Sequence, residues 1–189
     1  YSYIRDTGVT TVACLPYMSG GGDPTRHFEA SPTGSNQCYS TCQDSYRAAN
    51  PGLPMRFVNG RAGTTPMVFR GEAQIMQALV THGPLYIAFR VLTSFRSPST
   101  YASHDYIYMH NNATGTQRGS HAVAVYGWGT STINGQQVKY WKLINSWGSG
   151  GIPGTRGEFR IERGRDTAGI ESLGAWTIPL DLSDVSTGP

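Results

Sequence analysis

Beyond Gly83-Pro84 this chain reads as short apolar runs separated by turn residues, and no other feature constrains the fold as tightly. Residues 85–92, 122–126, 138–145, 158–162 and 172–178 have strand length and strand composition. Gly127-Trp128-Gly129 and Asn134-Gly135 read as turns between them. Upstream, residues 71–82 place Ile75, Met76, Leu79 and Val80 at helical spacing, and Gly83-Pro84 stops the run. One helix against many short strands predicts an α+β chain built on an antiparallel sheet or barrel. The 24 glycines and 11 prolines among 189 residues agree with a turn-rich architecture rather than a helical bundle.

Residues 18–37 (MSGGGDPTRHFEASPTGSNQ) are dense in Gly, Ser, Pro and Asn and read as a long surface loop. Residues 1–13 begin without a cap or turn, as if a helix were entered in mid-course, and Tyr1 in place of Met suggests a processed or truncated chain. Residues 183–189 form a polar tail, and there is no internal repeat. The length suits one domain or two small lobes and is enough to bury a core.

Charge and hydropathy narrow the function classes. The formal net charge is +3 without a Lys/Arg run, which excludes the clustered basic footprint of a nucleic-acid binder. No apolar stretch approaches the length of a membrane span, and the first residues lack a signal-peptide pattern. The three cysteines, Cys14, Cys38 and Cys42, are an odd number. In a secreted protein that implies a free thiol or a bond to another chain. Asn112-Ala113-Thr114 is a glycosylation sequon compatible with a secretory route.

Five histidines compete for a general-base role. His27 lies in the Gly-rich loop, His82 at a helix end, and His104 and His110 flank an aromatic segment. His121 differs in its setting, Gly119-Ser120-His121-Ala122-Val123-Ala124, where it opens a predicted strand of small residues that leave room for a substrate. A base needs a rigid mount and open access to the proton it takes. Asn145, in Tyr140-Trp141-Lys142-Leu143-Ile144-Asn145-Ser146-Trp147-Gly148, follows by 145 − 121 = 24 residues, enough for one hairpin that brings the two side by side. An Asn oxygen accepts an imidazole N–H and fixes the tautomer, and Trp147 is the candidate to keep water off that bond.

Together these segments resemble the histidine and asparagine motifs of papain-like cysteine peptidases, those of cathepsin B type most of all, and the likeness covers nearly the whole chain. Cys14-Leu15-Pro16-Tyr17 resembles the start of the occluding-loop region, and Cys38-Tyr39-Ser40-Thr41-Cys42 the two-cysteine segment after it. Gly83-Pro84 through Phe89 is similar to the strand that follows the right-domain helix. Gly169-Ile170-Glu171-Ser172 is similar to the stretch whose glutamate sits at the floor of the S2 pocket.

The resemblance implies roles residue by residue. His121 is the general base and acid, paired with a thiolate, and Asn145 orients it. Trp147 shields their bond and contributes to the primed side. Ala88 and Ala122 line S2, and Glu171 lets that pocket accept Arg as well as bulky apolar residues. Cys14 and Cys42 pair, while the family partner of Cys38 lies upstream, which leaves Cys38 free here or bonded to a separate light chain or N-terminal lobe. No cofactor and no metal are implied.

The nucleophile breaks the pattern. In papain-like chains the histidine follows the cysteine by about 130–150 residues. Here the spacings are 121 − 14 = 107, 121 − 38 = 83 and 121 − 42 = 79. None of the three cysteines sits in a Gly-Ser-Cys-Trp setting, the helix N-terminus that lowers a thiol pKa. The chain alone is therefore expected to be inactive, and its parent to be a thiol endopeptidase. The loop at 18–37 has no internal cysteine pair and no adjacent histidine pair, so endopeptidase activity is expected over carboxydipeptidase activity. Gly148-Ser149-Gly150-Gly151-Ile152-Pro153 replaces the family's second Trp-Gly, and Ala168 stands where cathepsin B has a cysteine.

The expected organisation is a left-domain edge with an occluding-loop-like region at 1–60, and a right-hand β-barrel-like domain at 61–189 carrying His121 and Asn145. The left domain with its catalytic helix is expected to be missing from this chain. Expected partners are a peptide or protein substrate and the N-terminal lobe, with no nucleic acid and no membrane. A bare interdomain face would also favour pairing of two copies. The expected location is the secretory pathway, a lysosome-like vacuole or the exterior. The rival reading is a catalytically inactive homologue serving as a binding or regulatory module. A third is a generic β-rich secreted binding domain.

Overall fold

The computed structural model describes residues 14, 42, 44–49, 51, 59–60, 65–96, 106–146, 157–178 and 180–181. In chain order the elements are α1 (Asp44–Ala49), β1 (Asn59–Gly60), β2 (Met67–Phe69), α2 (Glu72–His82), β3 (Leu85–Leu92), β4 (Ile107–Tyr108), β5 (Gln117–Ile133), β6 (Gln136–Ile144), β7 (Glu158–Glu162), α3 (Ile170–Leu173), β8 (Ala175–Thr177) and β9 (Leu180–Asp181). They divide between two compact units, one of residues 1–66 with 178–189 and one of Met67–Thr177.

In the first unit Cys14 and Cys42 are joined by a disulfide across 28 residues. By chain entropy a loop of that length restrains the unfolded state by about 3–4 kcal/mol. Helix α1 carries Asp44 in its first turn, ion-paired with Arg47 one turn on. Strands β1 and β9 pair antiparallel, Asn59 opposite Asp181. Cys38 and the Gly-rich loop at 18–37 lie outside the described residues.

The second unit is a seven-stranded sheet in the order β2-β8-β3-β5-β6-β7-β4. All neighbours are antiparallel except β4 and β7, which run parallel with Ile107 opposite Arg160. The α+β class is the one predicted, but this sheet is mixed and is not closed into a barrel. Strands β2 and β4 stand at its two ends.

Strict alternation builds the core. Along β3, Leu85, Ile87, Phe89 and Val91 turn inward while Tyr86 and Arg90 turn out. Helix α2 lays Ile75, Ala78 and Leu79 on that face. Val80, predicted on the helix stripe, is 71% exposed, because the core-facing arc is already filled by its neighbours at 75, 78 and 79. Phe95, Tyr108 and Phe159 complete an aromatic cluster around Phe89. Each such fully buried side chain contributes roughly 1.5–3 kcal/mol.

Strand β5 is far longer than the five residues predicted, because Gly127-Trp128-Gly129 is not a turn. The register shifts between Val125 and Gly127, a bulge within a continuing strand. Gly129 has no side chain because the Tyr140 ring crosses it; an added Cβ would stand 2.6 Å from that ring. Asn134 and Gly135 do form a turn, both at positive φ (50° and 78°), closing the β5–β6 hairpin with the handedness the strand twist requires. The predicted strand at 172–178 is shorter, since α3 runs to Leu173 and Gly174 at φ 94° starts β8 afresh.

Candidate active site

The alternation that builds the core also delivers the two residues singled out by motif. Phe89 faces inward on β3, and His121 lies directly opposite it on β5. Val125 pairs with Leu143 on β6, so Asn145, two residues beyond Leu143, returns to the same face just past the end of that strand. The chain direction there is held by the Asn145 N–H, which donates to the Gly157 carbonyl at 2.7 Å. The outcome is a His121 Nε2 to Asn145 Oδ1 hydrogen bond of 2.8 Å.

The two ends of that bond differ in exposure. Asn145 is buried, at 8% exposed, whereas the His121 ring, on the middle strand of the sheet, is half-buried. With the amide oxygen as acceptor the ring carries its hydrogen on Nε2, and Nδ1 is then the basic nitrogen. The Phe89 ring meets the imidazole edge-on at 5.9 Å. The hydrogen bond and the aromatic contact both constrain the ring's orientation. Asn145 Nδ2 is buried and finds no acceptor among the described residues. Trp147, expected over this bond, lies outside the described residues.

On the opposite face of the sheet, Ala88 and Ala122 are directly opposed. An open depression of about 480 Å³ borders Ala122 but not Ala88, and is lined among others by Tyr86, Ala124, Ile144 and Asn145. Ala122 and Ala124 put only methyl groups into it.

Glu171 does not join this group. It is 6% exposed, and its carboxylate is turned into the domain. Oε1 accepts from Trp141 Nε1 at 3.1 Å and from the Gly164 N–H at 2.6 Å, and Oε2 from the Asp166 N–H at 3.0 Å. Asp166 reciprocates, its Oδ1 accepting from the Glu171 and Ser172 N–H groups at 2.9 and 2.8 Å and so satisfying the start of α3. The Glu171 carboxylate is thus taken up by three donors inside the domain and does not line the depression beside Ala122. An isolated motif cannot show which donors will surround a carboxylate.

Of the other histidines, His82 and His110 are exposed, and His27 and His104 lie outside the described residues. Phe89 escaped the sequence reading as a site residue, although its place opposite His121 follows from strand alternation once the register is known. Among the described residues no group of three or more His, Cys, Asp or Glu side chains lies together to hold a metal ion. No helix among them is long and apolar enough to cross a membrane.

Residues 1–178 match the protein family described as papain family cysteine protease. This chain belongs to the papain family. Within that family it is 30% identical to the tubulointerstitial nephritis antigen-like protein of Homo sapiens, over 92% of this chain and 38% of the human one. It is also 30% identical to cathepsin B-like cysteine proteinase 5 of Caenorhabditis elegans, over 90% of this chain and 46% of that one. Among solved structures, proCathepsin B S9 from Trypanosoma congolense superimposes with a TM-score of 0.67 at 26% identity, covering 96% of this papain-family chain and 52% of its own. The chain thus spans less than half the length of these two curated relatives.

Proposed function

We propose that this chain is the histidine-and-asparagine part of a cathepsin B-like cysteine endopeptidase whose nucleophilic thiol lies upstream of it. The observation that carries the reading is the 2.8 Å bond between His121 Nε2 and Asn145 Oδ1. It leaves Nδ1 as the nitrogen that takes a thiol's proton and later gives it to the leaving amine, while Asn145 holds the tautomer. Cys14 and Cys42 are consumed in a disulfide and have no thiol to offer. On this reading Ala88 and Ala122 flank the position of a substrate side chain, Trp147 covers the His–Asn bond, and Cys38 links to the upstream lobe. The chain by itself is inactive.

The apolar row across the outer face supports a missing neighbour. Val68, Trp176, Tyr86, Ala124 and Ile144 succeed one another across five strands, and Tyr86 and Ile144 remain 42% and 46% exposed. The upstream lobe covers this row in the parent, and a second copy covers it in the isolated chain. A strictly monomeric profile in light scattering at high concentration would count against that pairing. The location that goes with this reading is secretory or lysosome-like.

A second reading rests on the human relative, whose name describes an antigen and not a protease. In that case the groove binds without cutting. One experiment separates the two, using the full-length natural protein and a fluorogenic peptide amide. Thiol-dependent hydrolysis that falls on the order of 10²-fold or more in His121→Ala, and less steeply in Asn145→Ala, supports the peptidase. Peptide binding with no thiol-dependent turnover supports the binding module.

A further inference from the structure

We propose that Asn112 is an N-glycosylation site, modified by oligosaccharide transfer from a lipid-pyrophosphate carrier. Asn112-Ala113-Thr114 is the one such sequon in the chain, and it carries Thr at its third position. A sequon alone is weak evidence, but three structural observations join it here.

The first is placement. Asn112 ends a 3-10 turn, His110–Asn112, on the surface loop between β4 and β5, and Asn112 and Thr114 are both exposed. A glycan attached there stands in water and displaces nothing.

The second is that the turn does not depend on the amide hydrogens the reaction uses. It is held through the backbone: Asn112 N–H to Met109 O at 3.0 Å, Ala113 N–H to His110 O at 3.1 Å, and Thr114 N–H to Ser94 Oγ at 3.0 Å. The Asn112 side chain makes one long contact, Nδ2 donating to Tyr106 Oη at 3.3 Å. In the transfer, the bond from Nδ2 to the anomeric carbon of the first sugar forms as the bond from that carbon to the pyrophosphate oxygen breaks. The carrier leaves with the electron pair, and Nδ2 releases one of its two protons. The proton that stays on Nδ2 still serves Tyr106, so the folded turn accommodates the product.

The third is the compartment. The Cys14–Cys42 disulfide places folding in an oxidising environment, which in eukaryotic cells is where such transfer takes place.

The test uses the full-length protein from its native source, with Asn112→Gln, Thr114→Ala and Thr114→Ser made in a eukaryotic secretory host. Intact mass is read before and after peptide N-glycosidase, and peptide mapping reads residue 112 for conversion to Asp. The expected result is one enzyme-removable glycan on the native chain and on Thr114→Ser, lost in Asn112→Gln and Thr114→Ala. Thr114→Ser keeps the sequon, so its glycan shows that loss in Thr114→Ala is not a folding failure. A native chain with the Cys14–Cys42 bond closed and Asn112 bare overturns the proposal. So does a glycan that persists in Asn112→Gln, or a native chain with both cysteines reduced and Asn112 bare.

Discussion

The ring of Phe89 stands edge-on to that of His121, with centroids 5.9 Å apart and planes at 72°. Phe89 is fully buried and is itself held by Phe95 at 4.8 Å and Phe159 at 5.9 Å. The half-buried imidazole therefore rests on a rigid aromatic cluster and is hydrogen-bonded to Asn145.

Removing that support has two separable consequences. Phe89→Ala should cost about 3–5 kcal/mol in a denaturant melt, the usual range for a fully buried Phe. Phe89→Leu keeps most of the apolar volume and loses the ring edge. On the proposed peptidase reading, it should lower the full-length protein's kcat with KM little changed, because the imidazole is then less well aimed.

Glu171 should behave as a structural carboxylate. Glu171→Ala leaves the Trp141, Gly164 and Asp166 donors without their acceptor. At about 1–3 kcal/mol for a stranded buried donor, the loss should reach several kcal/mol by thermal or urea melt. Glu171→Gln retains one oxygen and should cost less. On the proposed peptidase reading, the rate on a P2-Arg peptide relative to a P2-Phe peptide should be the same for the full-length protein with and without Glu171→Gln, and a selective loss on P2-Arg with stability intact would support the pocket role instead.

The β5–β6 hairpin offers a test of backbone conformation alone. Gly135 sits at φ 78°, and a Cβ added there meets nothing within 4 Å. Gly135→Ala should therefore cost only the left-handed penalty, about 1–2 kcal/mol. Asn134, also at positive φ, should tolerate Gly with almost no change in Tm.

Alkaline pH should destabilise the sheet through Tyr108. Burial, foremost, holds its hydroxyl above the ordinary pKa of 10.0, while the Ser94 hydrogen bond at 2.6 Å pulls the other way. The folded state then keeps its proton after the unfolded state has lost it. The stabilisation is complete below that ordinary value of 10.0 and is lost as pH rises through the folded pKa. Urea midpoints should fall on this alkaline limb for the natural chain and fall less for Tyr108→Phe.

Much of this fold was legible from local pattern. The helix predicted at 71–82 is α2 at Glu72–His82, and the strand predicted at 158–162 is β7. The turn at Asn134-Gly135 follows from residues that tolerate positive φ. Failures came where a long-range partner overrode local preference. Gly127-Trp128-Gly129 has turn composition, yet pairing with Lys142, Trp141 and Tyr140 carries β5 straight through it. Strand β4 is only two residues long, too short to show a period, so its parallel pairing with β7 had no local signature.

The candidate site divides along the same line. The sequence by itself determined that His121 and Asn145 lie one hairpin apart, because turn chemistry depends on residues a few positions away; pairing with β3 extends β5 back to Gln117, so His121 lies inside the strand and not at its start. Tertiary structure alone decided that Phe89 supports the imidazole and that Glu171 serves Trp141 across 30 residues of chain. It alone left the sheet open, with an apolar row of side chains on its outer face. Such facts depend on which donors, rings and strand edges meet in space, and composition at one position carries no record of its distant neighbours.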